Sequence, residues 1–159
     1  MNEEIKASPK DVFVHLLTMI TLYVSVASFL VLLFQYANLL LPDPLERGYY
    51  QRIGIYQAIR WSIASLIILF PTYILTSWFL NKAYIVVPAR RNLRIRKWLI
   101  YFTLFVAALI ILGDLVTLIF NLLQGELTAR FVLKVAAVLF VAGSVFYYYF
   151  WDLRRYKTE

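Results

Sequence analysis

The sequence predicts an all-α, polytopic membrane protein: four transmembrane helices in an antiparallel bundle, with a short interfacial helix after the first, forming one membrane domain over residues 1–159. Three observations predict it. Hydrophobic residues make up 62% of the chain and charged residues only 16%, whereas soluble domains run at about half apolar and a quarter charged. The apolar residues gather in four runs of twenty or more, which one soluble core of this size cannot hide, so lipid is their solvent. The basic residues cluster beside these runs, the pattern of a chain sorted by the positive-inside rule.

The first helix opens at Ser8-Pro9-Lys10-Asp11. Ser8 is a capping residue, Pro9 suits the first helical position, and Asp11 helps satisfy the free amides. The apolar run from residue 12 to residue 41 rises about 45 Å as a helix, more than the hydrocarbon thickness of about 30 Å, so it tilts or projects. It stops at Pro42. Ser25-Val26-Ala27 has the small residues of a signal cleavage site, but the apolar run continues well past it, so a retained span is expected.

Asp43-Pro44-Leu45-Glu46 repeats the capping logic, and Leu45, Tyr49, Ile53 and Tyr56 then share a helical face, which predicts an interfacial helix over 44–57. The second span covers 59–80 and contains Pro71, which removes a backbone hydrogen bond and predicts a kink. The third covers 98–123 and ends at Gly125. The fourth covers 131–151, and the short connection makes it an antiparallel neighbour of the third.

Lys6, Lys10, Lys82, Arg90, Arg91, Arg94, Arg96, Lys97, Arg154, Arg155 and Lys157 fall on one side of this topology, against Arg47, Arg52, Arg60, Arg130 and Lys134 on the other. The richer side stays inside, so both termini are expected in the cytoplasm. Trp61, Trp78, Trp98 and Trp151 each sit at a span end, where an indole is half wet. The net charge of +7 is thereby accounted for by topology and anionic headgroups, and no nucleic-acid partner is expected. The bilayer is the expected partner, with contact to anionic lipid through Arg90, Arg91, Arg94, Arg96 and Lys97.

Asp114 is the residue with most to say about function. It lies well inside the third span, where a carboxylate costs about 2.5 to 3.5 kcal/mol on insertion scales, so it needs a partner or a proton. Lys134, across the turn and displaced by about 7 Å along the axis, is within reach of extended side chains. Thr117 and Asn121 share the Asp114 face and are placed to relay hydrogen bonds toward it, and Arg60 and Arg130 are reserve partners. The pair reads either as a structural ion pair setting the hairpin register or as an ion or proton site. Thr18, Thr21, Ser25, Ser28 and Gln35 form a stripe on one face of the first span, read as a packing seam before a pore lining. His15 is the single histidine, assigned to headgroup-level hydrogen bonding. One imidazole cannot build a multi-histidine metal site, and without cysteine thiolate ligands are excluded, so neither metal nor cofactor is expected. No phosphate loop, zinc-protease motif or serine elbow occurs, and the protein is not expected to be an enzyme.

Gly113-Asp114-Leu115 in the third span, Gly125-Glu126 in the turn, Arg130-Phe131 with Lys134 opening the fourth span, and Tyr147-Tyr148 before Asp152 and Arg154-Arg155 carry a resemblance. From about Arg60 onward the chain resembles a family of small bacterial membrane proteins catalogued as a domain of unknown function. The resemblance implies four spans, in a bacterial cytoplasmic membrane, and no assigned activity. Two functions follow as expectations: a homo-oligomeric channel or transporter-like protein with Asp114 and Lys134 on its path, or a membrane-embedded interaction or scaffold protein in which that pair serves the fold.

Overall fold

A computed structural model gives the fold; it describes residues 8–42, 49–125 and 127–155, with the backbone alone over 49–51. Four α-helices make up the described residues: α1 (Pro9–Leu40), α2 (Tyr49–Val86), α3 (Arg94–Gln124) and α4 (Ala129–Arg155), with a 3₁₀ turn at Pro88–Asn92 before α3. All four are long and apolar enough to cross a membrane.

Local chemistry sets the ends. Asp11 N–H donates to Ser8 Oγ at 3.2 Å while Ser8 N–H donates to Asp11 Oδ2 at 3.1 Å, the reciprocal box expected from the sequence, with Pro9 in the first turn. α3 stops at Gly125, whose φ of +76° places it in the left-handed region and lets its N–H reach the carbonyls of Asn121 and Leu122. Thr128 Oγ1 accepts from Phe131 N–H at 3.2 Å and opens α4.

The interfacial helix expected at 44–57 is not a separate element. Residues 43–48 lie outside those described, and 49–57 are the first turns of α2, which runs unbroken for 38 residues through Pro71. Between Tyr49 and Ile59 the only weak helix former is Gly54; one glycine costs about 1 kcal/mol, too little to end a helix that can propagate on both sides.

The helices alternate in direction. His15 of α1 meets Tyr84 of α2, and Arg96 of α3 meets Asp152 of α4, so the start of α1, the end of α2, the start of α3 and the end of α4 gather at one end of the molecule, the terminal end. α1 packs mainly on α2, α3 on α4, and α1 on α4, with a lighter contact between α1 and α3. The core lies toward the terminal end: Met19, Leu22, Leu99, Ile100, Leu104 and Tyr149, flanked by Tyr23, Tyr73 and Phe146. Beyond Ala107, no described residue of α3 is buried. Ala37 and Ser62 are 2% and 4% exposed and stand equal distances along α1 and α2 from the His15–Tyr84 contact, so two small residues bring these backbones together in the far half. The four tryptophans are all exposed, from 51% at Trp151 to 70% at Trp61.

Candidate functional site

Two polar sites emerge, one at the terminal end and one in the far half. The terminal-end site centres on His15, which is 3% exposed. Its Nδ1 lies 2.6 Å from the Asp11 carbonyl oxygen, an acceptor, so Nδ1 carries the proton and Nε2 accepts from the Tyr84 hydroxyl at 2.6 Å. The buried phenol ring of Tyr84 has the Arg96 guanidinium 5.3 Å and the Arg91 guanidinium 5.9 Å from its centroid, both within cation–π range. Arg96 donates from Nη2 to Asp152 Oδ2 at 2.5 Å and from Nη1 to the Arg91 carbonyl at 3.3 Å, and Arg90 pairs with Asp11 at 3.6 Å. Every helix contributes to this clasp.

The basic run therefore divides. Arg90, Arg91 and Arg96 are half-buried and turned onto Asp11, Tyr84 and Asp152, whereas Arg94 and Lys97 are exposed. His15 is a buried crosslink between α1 and α2 and not a headgroup contact. Sequence reasoning missed Tyr84 and Asp152 as its neighbours; the signals were an imidazole four residues from Asp11 and an acid set into the most basic side of the topology.

Below the clasp, the Tyr23 hydroxyl lies 2.6 Å from Thr103 Oγ1. Thr103 donates to the Leu99 carbonyl at 2.8 Å and so accepts from Tyr23, tying α1 to α3. The Tyr149 hydroxyl reaches Met19 Sδ at 3.8 Å, tying α4 to α1. Thr18 and Thr21 are buried and donate to carbonyls of their own helix. Ser25 Oγ is buried with no hydrogen-bond partner. Gln35 accepts from Asn38 within the same helix, at 3.1 Å, and Ser28 is half-buried.

In the far half, Asp114 and Lys134 each stand eighteen positions from the bridged Arg96 and Asp152, which puts both about 27 Å from the clasp by helical rise. They share a level, yet no ion pair joins them. Asp114 Oδ2 is buried and has no hydrogen-bond partner among the described residues. Lys134 Nζ lies over the Phe34 ring of α1, 5.7 Å from its centroid. Thr117 donates to the Gly113 carbonyl at 2.8 Å and Asn121 to the Thr117 carbonyl at 2.9 Å, so both are engaged by α3 itself and form no relay across the hairpin. Arg60 is exposed on α2, which leans on α1. Among the described residues no group of three or more His, Asp or Glu side chains is arranged to hold a metal ion.

Comparison with curated proteins and with solved structures returns no match. A family match covers most of the chain and reaches further toward the N-terminus than the residues from Arg60 onward suggested. It takes in α1, with Asp11 and His15, and stops at Tyr149, short of Asp152. With residues 11–149 matched, the chain belongs to the family described as Domain of unknown function (DUF5671).

Proposed function

We propose that the protein is a membrane-embedded interaction protein, completed by another polypeptide through the far half of α3. The observation that carries this reading is Asp114. One of its oxygens is buried and unpartnered on α3, an edge helix that packs mainly on α4, at a depth where a carboxylate without a counter-charge is unfavourable by a few kcal/mol. Many of the protein's other polar groups are satisfied within the bundle, through the clasp, the Tyr23–Thr103 bond and threonines bonded to their own helix, while Ser25 Oγ and Asn38 Oδ1 on α1 are the other buried oxygens without a partner among the described residues. Of these leftover groups Asp114 alone is ionisable, and an acid left over at that depth fits a contact made between molecules.

The positive-inside rule puts the terminal end in the cytoplasm of a bacterial cell, with Arg94 and Lys97 at the level of anionic headgroups. No catalysis is part of this reading. A conduit formed by several copies around Asp114 takes second place, because the buried hydroxyls of Thr18 and Thr21 fit a seam between helices better than a wet wall.

The test is the assembly state in native membranes, read by single-molecule photobleaching, for the wild type, Asp114→Asn and Asp114→Leu. The expected result is a smaller assembly in both variants with helical content preserved. An unchanged assembly in Asp114→Leu removes the basis of the proposal. Ion flux into liposomes that tracks Asp114 instead would favour the conduit.

A further inference from the structure

We infer that the molecule completing α3 is a second copy of this chain, with Arg60 of one copy supplying the cation for Asp114 of the other. This rests on the reading of Asp114 as an intermolecular contact and adds the identity of its occupant.

The principal contacts run from α2 to α1, from α1 to α4 and from α4 to α3, an open row whose two edges are α2 and α3. Each edge carries unpaired charge in the far half. On α3 it is Asp114. On α2 it is Arg52 and Arg60, both exposed and without an ion pair among the described residues; Arg60 is the nearer in level to Asp114 and stands beside Trp61 at 70% exposure. The signs are opposite, and an arginine fork matches a carboxylate better than any other cationic side chain.

The depths also agree. Arg60 is twenty-four positions from Tyr84, about 36 Å from the clasp, against about 27 Å for Asp114. Copies inserted in one orientation share their depth, so about 9 Å separates the two Cα levels. The tilt forced on a 38-residue helix, together with an extended arginine side chain turned toward the membrane centre, closes that gap.

A two-fold axis along the membrane normal lays the α2 edge of each copy on the α3 edge of the other. Both Arg60–Asp114 pairs then form together and the contact closes on itself. The apolar area comes from α2, where none of the most apolar 18-residue stretch is buried, with Ile67, Ile68 and Leu75 each at least 65% exposed.

Charge reversal in differently tagged, co-expressed chains tests this. A chain carrying Arg60→Glu and a chain carrying Asp114→Arg each place like charges at both contacts of a self-dimer, whereas a mixed dimer contains two opposite-charge contacts. The expected result is that each variant alone is monomeric in nanodiscs and that the mixture pairs. Arg60→Gln and Asp114→Asn, milder changes for use if a reversal disturbs folding, are expected to weaken self-association by about thirtyfold or more. If Asp114→Asn disperses the assembly and both Arg60 variants leave it intact, the second copy is the wrong occupant although Asp114 still makes an intermolecular contact. If Lys134→Met reproduces the Asp114→Asn loss while both Arg60 variants leave the assembly intact, Arg60 is the wrong cation and this inference is overturned.

Discussion

At the scale of single residues, His15 is held by two hydrogen bonds of opposite sense, and that fixes its tautomer. Removing the ring leaves the Tyr84 hydroxyl, in a residue 6% exposed, without its acceptor; an orphaned buried hydroxyl costs about 1–3 kcal/mol. His15→Phe is therefore expected to destabilise the protein by about that amount in denaturant titrations of detergent-solubilised protein. The double variant with Tyr84→Phe should recover part of the loss, because both polar groups then leave together. Equal losses in the single and double variants would deny the bond any energetic role. The Tyr23–Thr103 bond allows a companion measurement: a double-mutant cycle with Tyr23→Phe and Thr103→Val should return a coupling of about 0.6 kcal/mol, and no more than about 1.7, the range for hydrogen bonds between membrane helices. A null coupling would leave Thr103 tied only to its own helix. None of these partners was legible in the sequence. His15 and Tyr84 are 69 positions apart, and Arg96 and Asp152 are 56; no periodicity along one helix encodes which residue of another helix it will meet. Asp114 was legible for the opposite reason, since an acid inside an apolar run declares its cost without any knowledge of neighbours.

At the scale of elements, helix termini followed from local chemistry and lateral choices did not. The Ser8–Asp11 box and the Gly125 stop are decided by residues within a turn of each other, and both are where the sequence placed them. The boundary near residue 58 required a break that no residue supplies, so α2 absorbed it. Gly125 offers a direct check on this reasoning. Its φ of +76° is unfavourable for any side chain, so Gly125→Ala is expected to cost about 1 kcal/mol, while Gly113→Ala and Gly143→Ala, each helical with open space around the added methyl, should be neutral or stabilising by up to about 1 kcal/mol. Comparable effects at all three positions would mean that the turn, and not its glycine, limits stability. The hairpin corrects the axial estimate, which put Lys134 about 7 Å off the level of Asp114, and shows why a shared level does not by itself yield a contact. Asp114 and Lys134 do share a level, but Lys134 is directed at Phe34 on α1, and angular position around a helix depends on packing that an axial count leaves out.

At the scale of the whole molecule, polar order is concentrated at one end. The clasp joins all four helices there, the core lies beneath it, and the other half presents α2 and α3 as edges. This asymmetry gives the topology a definite test, because one end carries Lys10, Lys82, Arg90, Arg91, Arg94, Arg96, Lys97, Arg154 and Arg155, against Arg52, Arg60, Arg130 and Lys134 toward the other. Translocation of cationic segments is disfavoured, so the clasp end should remain in the cytoplasm. The chain has no cysteine, which makes single substitutions at Ser8 and Thr128 clean reporters of the two ends. A membrane-impermeant maleimide applied to intact cells should label Thr128→Cys and spare Ser8→Cys until the membrane is opened. Because α1, α2, α3 and α4 alternate in direction, inversion of the whole molecule would exchange the two results, and labelling of both from outside would contradict a clasp assembled from α1 and α4 ends on one face. Protection of Ser8→Cys together with exposure of Thr128→Cys would also fix the leaflet that Asp114 and Arg60 occupy: both lie in the half remote from the clasp, so a partner reaching them must be seated in the outer leaflet half of the same membrane.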